Sequence, residues 1–147
     1  MTNLQTLLTE AAKLNHEISR LLKVSTYSDY GDLSELDIDA HNGEQIFLRD
    51  ELTYIMQKLS DAQREIEYLN LPIGKVSRLH RNGYGQYEPE DGDCLHCGYP
   101  LEALISDGYH TVPYWSSTRV EHDGKGYYLV GHKHTLLDGL TIRMRER

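Results

Sequence analysis

Glu65-Ile66-Glu67-Tyr68-Leu69-Asn70-Leu71-Pro72-Ile73-Gly74-Lys75-Val76-Ser77-Arg78-Leu79-His80-Arg81-Asn82-Gly83 is the stretch in which the period of the chain changes. Before Pro72 the apolar residues recur three and four apart, the spacing of one helix face. From Gly74 onward they alternate. Val76, Arg78 and His80 fall on one side of an extended segment, and Ser77, Leu79 and Arg81 on the other. The switch predicts an α+β chain, with a helical region over 1–71 and a small β-domain over 72–147.

Upstream, Leu48, Leu52, Ile55, Leu59, Ala62, Ile66 and Leu69 step by four and three. They predict a helix from about Gly43 to Asn70, stopped by Pro72 and Gly74. Leu4, Leu7, Ala11, Leu14, Ile18 and Leu21 repeat the pattern, widened by Leu8 and Leu22, with Asn3 or Thr2 able to cap the start. Val24, Ser25, Thr26 and Tyr27 end that helix near Lys23. Two such helices in a short chain pack most simply as an antiparallel, coiled-coil-like hairpin. Its open face is expected either to cover the β-domain or to pair with a second copy as a homodimer.

The connector, 25–43, is long for a link between packed helices. Leu33, Leu36 and Ile38 are spaced to anchor it. Asp29, Asp32, Glu35, Asp37, Asp39, Glu44, Asp50 and Glu51 face only Arg49, a charge of −7 where the whole chain of 147 residues carries −8. A solvated loop is the plain reading. The sharper one is a negatively charged surface that docks on a protein with a basic groove. The same balance argues against direct binding of nucleic acid, which requires a basic face.

Downstream, Asn82-Gly83 is expected to turn β-strands, and so are Asp107-Gly108, Asp123-Gly124-Lys125-Gly126 and Asp138-Gly139. Strands are expected over 75–82, 100–105, 109–121 (with Pro113 at an edge or bulge), 127–130 and 140–145, with a return beginning over 84–87. Five or six short strands predict a small antiparallel sheet or barrel. Thr141 to Arg147 alternates, which places Arg143, Arg145 and Arg147 together as on a charged sheet edge.

Both cysteines lie in Asp93-Cys94-Leu95-His96-Cys97-Gly98. No stretch is apolar enough to span a membrane, and no basic-then-apolar leader opens the chain, so the expected location is the cytoplasm. There, a C-x-x-C pair is more often a metal or redox pair than a disulfide. Cys94 and Cys97 read as half of a structural zinc site, with His132 and His134 as the other half, because an H-x-H pair on a strand points both rings one way. His80, His96 and His110 are alternative ligands. The plain reading is two buried thiols. A catalytic zinc, as in a hydrolase or nuclease, would need a base such as Asp91, Asp93 or Glu121. No catalytic constellation is present, and an enzyme is not expected.

The run Thr118-Arg119-Val120-Glu121-His122-Asp123-Gly124, then Gly126-Tyr127-Tyr128-Leu129-Val130-Gly131 and Leu137-Asp138-Gly139-Leu140-Thr141-Ile142-Arg143-Met144-Arg145, resembles an uncharacterised small β-domain of phages and mobile elements of Gram-positive bacteria. The likeness covers roughly residues 75 to 145. Size and acidity also resemble the small phage anti-CRISPR proteins. That likeness implies a binding protein that docks on a CRISPR nuclease and blocks its nucleic-acid loading. A third reading is a dimeric regulator that binds DNA through Arg143, Arg145 and Arg147.

Overall fold

The structure is a computed structural model. It describes residues 3–90 and 98–146 and divides into two compact units, 1–71 and 72–147. In the first, α1 is Leu4–Val24, α2 is Tyr27–Tyr30 and α3 is Gly43–Asn70. Asn3 caps α1 by accepting from the Thr6 backbone N–H at 2.8 Å. Asn42 caps α3 by accepting from the N–H groups of Glu44 and Gln45 at 3.0 and 3.2 Å. Each cap supplies a partner to N–H groups that a helix start leaves unbonded.

α1 and α3 pack through Ile18 and Leu22 against Met56, with Leu59 and Ile66 alongside and Leu33 of the connector inserted among them. Gln63 Nε2 donates to Ser19 Oγ at 2.6 Å. The contact differs from the expected seam. Leu22 is buried where Leu21 was expected, and Leu4, Leu7 and Leu14 stay exposed. A two-helix contact is narrow, so it takes one edge of each apolar stripe and leaves the other to solvent. Leu33 anchors the connector as expected, whereas Ile38 is half-buried and Leu36 exposed. The one-turn α2 was not legible, because Tyr27-Ser28-Asp29-Tyr30 is too short to show a period.

The second unit is a six-stranded antiparallel sheet in the order β2-β1-β6-β3-β4-β5. Its strands are β1 Ile73–Arg81, β2 Tyr87–Pro89, β3 Pro100–Ile105, β4 Tyr114–His122, β5 Tyr127–Leu129 and β6 Thr141–Arg145. Leu79, Leu101, Ala103, Ile105, Val120, Leu129, Leu137 and Ile142 form its core. At its start, Gly74 passes so close to β6 that a Cβ there would lie 2.5 Å from the Met144 carbonyl oxygen, a separation real Cβ atoms do not reach.

The sheet is open, one of the two forms expected, a sheet or a barrel. Its edge strands β2 and β5 do not pair with each other, although Tyr87 and Tyr127 meet edge to face at 6.3 Å. Three expectations are corrected here. The Asn82-Gly83 turn is a longer loop. Asn82 Oδ1 accepts from the N–H groups of Tyr84 and Gln86, and Gly85, not Gly83, takes the left-handed conformation at φ 77°. β4 begins at Tyr114 rather than Tyr109, since Pro113 has no N–H for a ladder. Finally, β6 is no edge: it pairs with both β1 and β3.

Candidate functional site

In the helical unit, all eight carboxylates named from the sequence are exposed. Several are tied to their own turn. Asp32 accepts from the Ser34 N–H at 3.0 Å, and the Ser34 hydroxyl first and this N–H second draw its carboxyl below the usual range. Asp39 accepts from the His41 N–H at 2.9 Å, while its own N–H donates to Gln45 Oε1 at 2.7 Å. Asp50 pairs with Arg49 at 3.3 Å. Interleaved with these carboxylates are the exposed side chains of Tyr30, Phe47 and Leu48, and Tyr54 follows Glu51. Sequence reading missed them, because the expected seam of α3 counted Leu48 as packed and set Tyr54 beside it, and Phe47 entered no pattern.

In the β unit, Cys94, Cys97 and His96 lie outside the described residues. His132 and His134 sit on the turn that follows β5, not on a strand, which corrects the placement that paired their rings. His132 folds back, its N–H donating to the Leu129 carbonyl at 3.0 Å, and its Nε2 lies 2.9 Å from Ser116 Oγ. His134 is exposed. Of the alternatives, His80 pairs with Glu88 at 3.1 Å and His110 with Asp107 at 3.0 Å. Among the described residues no group of three or more His, Cys, Asp and Glu could hold a metal ion. Gly98, directly after Cys97, donates its N–H to the Val120 carbonyl, and Val120 pairs with Leu129, on which His132 turns back.

Two further clusters are assembled by the fold. One lines a groove of about 950 Å³ at the end of the sheet, whose walls include Asp107, Tyr114, His132, Lys133 and His134. Asp107 is clamped there. It meets His110 Nδ1 and accepts from the Tyr114 hydroxyl at 2.8 Å and from the N–H groups of Tyr109 and His110. The His110 contact, first among these, holds the carboxyl well below its ordinary 3.8, and the carboxylate in turn raises the Tyr114 hydroxyl. A depressed carboxyl stabilises the fold above its unfolded value and loses that contribution as pH falls through the folded one. Acid unfolding of the wild-type chain is therefore expected to steepen below pH 3.8. Asp107→Asn should flatten that dependence. Equal slopes in urea melts between pH 2 and pH 5 would count against the clamp.

The other cluster occupies the sheet face away from the core. Glu102 takes Arg143 Nε at 2.7 Å on one oxygen and Arg145 Nε at 2.8 Å on the other. The Arg143 guanidinium also lies 4.1 Å from the centre of the Trp115 ring. The arginines expected on a charged edge thus meet an internal carboxylate. Arg147 lies outside the described residues.

Among the described residues no helix is long and apolar enough to cross a membrane. No curated protein and no solved structure matches the chain. Residues 77–144, from within β1 to within β6 and so nearly the whole sheet, match the family model described as a domain of unknown function, DUF5348.

Proposed function

We propose that this chain is a non-catalytic binding protein whose helical unit docks on a basic groove of another protein. In this reading α1 and α3 form an antiparallel hairpin that carries the acidic connector at one end, and its open side is available to a second copy. One observation supports docking over simple solubility: Tyr30 and Phe47 stand exposed among the carboxylates, and Tyr54 just beyond Glu51. Carboxylates alone would serve a solvated loop. Large apolar side chains between them supply the desolvated anchors that hold protein interfaces, while the charge steers the encounter.

The likeness to small acidic phage proteins suggests a CRISPR nuclease as the partner class. Target cleavage, measured with the protein added before or after the nucleic acid, tests this. Inhibition is expected only when the protein comes first, and it should weaken steeply with salt. Inhibition that is indifferent to salt, or that survives Asp32→Asn, Asp37→Asn and Asp39→Asn together, overturns the reading.

Within the β unit we read Cys94 and Cys97 with His132 and His134 as ligands of one structural zinc. The hydrogen bonds that set Gly98 beside β4 and the His132 turn beside β5 support this, because neighbouring strands lie only ~5 Å apart. Protein purified without added metal is expected to carry one zinc per chain, and Cys94→Ser to lower the melting temperature of the β unit. Elemental analysis showing none would remove the zinc.

A further inference from the structure

α1 and α3 follow one seven-residue register. In α1, Leu4, Ala11 and Ile18 hold position a, and Leu7, Leu14 and Leu21 hold position d. In α3, Leu52, Leu59 and Ile66 hold a, and Leu48, Ile55, Ala62 and Leu69 hold d. The contact between the helices draws on a and on e, the position next to it away from d. Ile18 and Leu22 come from α1, and Met56, Leu59, Gln63 and Ile66 from α3. The d rows are left over. Leu7, Leu14 and Leu21 are 60, 56 and 39% exposed, and Leu48, Ile55 and Leu69 are 48, 47 and 52% exposed.

In an antiparallel pair, an axis normal to the plane of the two helices exchanges them. Equivalent register positions therefore lie on the same side. Both d rows then share one face of the hairpin, bordered on its outer sides by the g positions Glu10, Glu17, Glu44, Glu51, Lys58 and Glu65. With Leu4 and Leu52 at its margin, 74 and 39% exposed, the fractional exposures of these eight residues correspond to an exposed surface on the order of 700 Å². A standard interface buries ~800 Å² per partner, and the largest patch on a typical monomer is only ~300–600 Å².

We propose that this face is covered by the same face of a second copy, closing a four-helix bundle. The spacing selects the occupant. Rows that repeat every seven residues accept the knobs of another helix with that repeat, and among the described residues α1 and α3 have it. The sheet of the β unit repeats every two residues, and its outer side carries Arg78, Glu102, Arg119, Arg143 and Arg145. The association does not depend on the docking reading, since none of the eight carboxylates occupies a d position.

Sedimentation of the full chain at ~100 µM, well above the micromolar constants of even the weaker standard-size interfaces, tests the pairing. A dimer is expected. Leu14→Glu with Ile55→Glu should make it a monomer of unchanged helix content. If that pair loses helix content, Leu14→Ala with Ile55→Ala decides, with association expected to weaken by at least about a hundredfold. A monomeric wild type at that concentration overturns the proposal. So does a dimer whose dissociation constant these substitutions leave unchanged.

Discussion

Glu102→Ala is expected to destabilise the β unit by about 3–5 kcal/mol, the cost of removing one member of a buried ion pair. The Glu102 side chain is 5% exposed, and those of Arg143 and Arg145 are 16 and 12% exposed. Taking away the carboxylate leaves two guanidiniums close together with little water to screen them. Trp115 covers one face of Arg143 and hinders its escape into solvent. The loss is large against the ~5–15 kcal/mol that holds a typical domain together. At ~4–8 °C per kcal/mol for a unit of this size, it should appear as a drop of tens of degrees in the melt. Glu102→Gln keeps the shape and should cost less, about 1.5–3 kcal/mol, the worth of a hydrogen bond to a charged group. Replacing the triad together, as Glu102→Leu, Arg143→Met and Arg145→Leu, should recover most of the loss, because the desolvation cost of the charges disappears with them. Urea unfolding followed by circular dichroism measures all three. A Glu102→Ala variant within 1 kcal/mol of wild type would show that the pair is solvated and carries little.

The second large effect is expected from Leu129→Ala, about 2–5 kcal/mol. Leu129 is completely buried at the end of β5. It packs in the sheet core, pairs with Val120 and receives the His132 N–H that folds the following turn. Truncating it opens a cavity where two short elements are held, so the turn carrying His132 and His134 should loosen as well. Leu136→Ala is the matched control. Leu136 is 83% exposed, and its truncation should fall within about 0.5 kcal/mol of wild type. Similar losses for both leucines, read from the same unfolding curves, would mean that the core does not extend to β5.

These two predictions also mark where sequence reading stops. The helices, their Asn caps and the stop at Pro72 were legible, since period and capping are properties of residues a few positions apart. So were the alternation of β1 and the positions of β3, β5 and β6. The exposure of the eight carboxylates followed from their clustering in the polar connector and the first turns of α3. The exposure of Leu48 did not, because it fits a helical stripe whichever part of that stripe is buried. Leu129 was expected on a strand and Leu136 was not, but the complete burial of Leu129 needs the neighbouring strands of the sheet.

What the amino-acid sequence determined by itself is the division at Pro72, the type and order of the elements, and the concentration of −7 of the −8 charge between Asp29 and Glu51. Hydrophobic period, caps and charge are written within a few residues of one another, and no partner from elsewhere in the chain is needed to express them. Only the tertiary structure decided that β6 lies inside the sheet and that Glu102 meets arginines about forty residues away. It also decided that α1 packs on Ile18 and Leu22 and turns Leu7, Leu14 and Leu21 outward. Those outcomes depend on which strands pair and how far each helix rotates. Packing of the whole unit settles both, because many arrangements satisfy the same local pattern and only one fills the core.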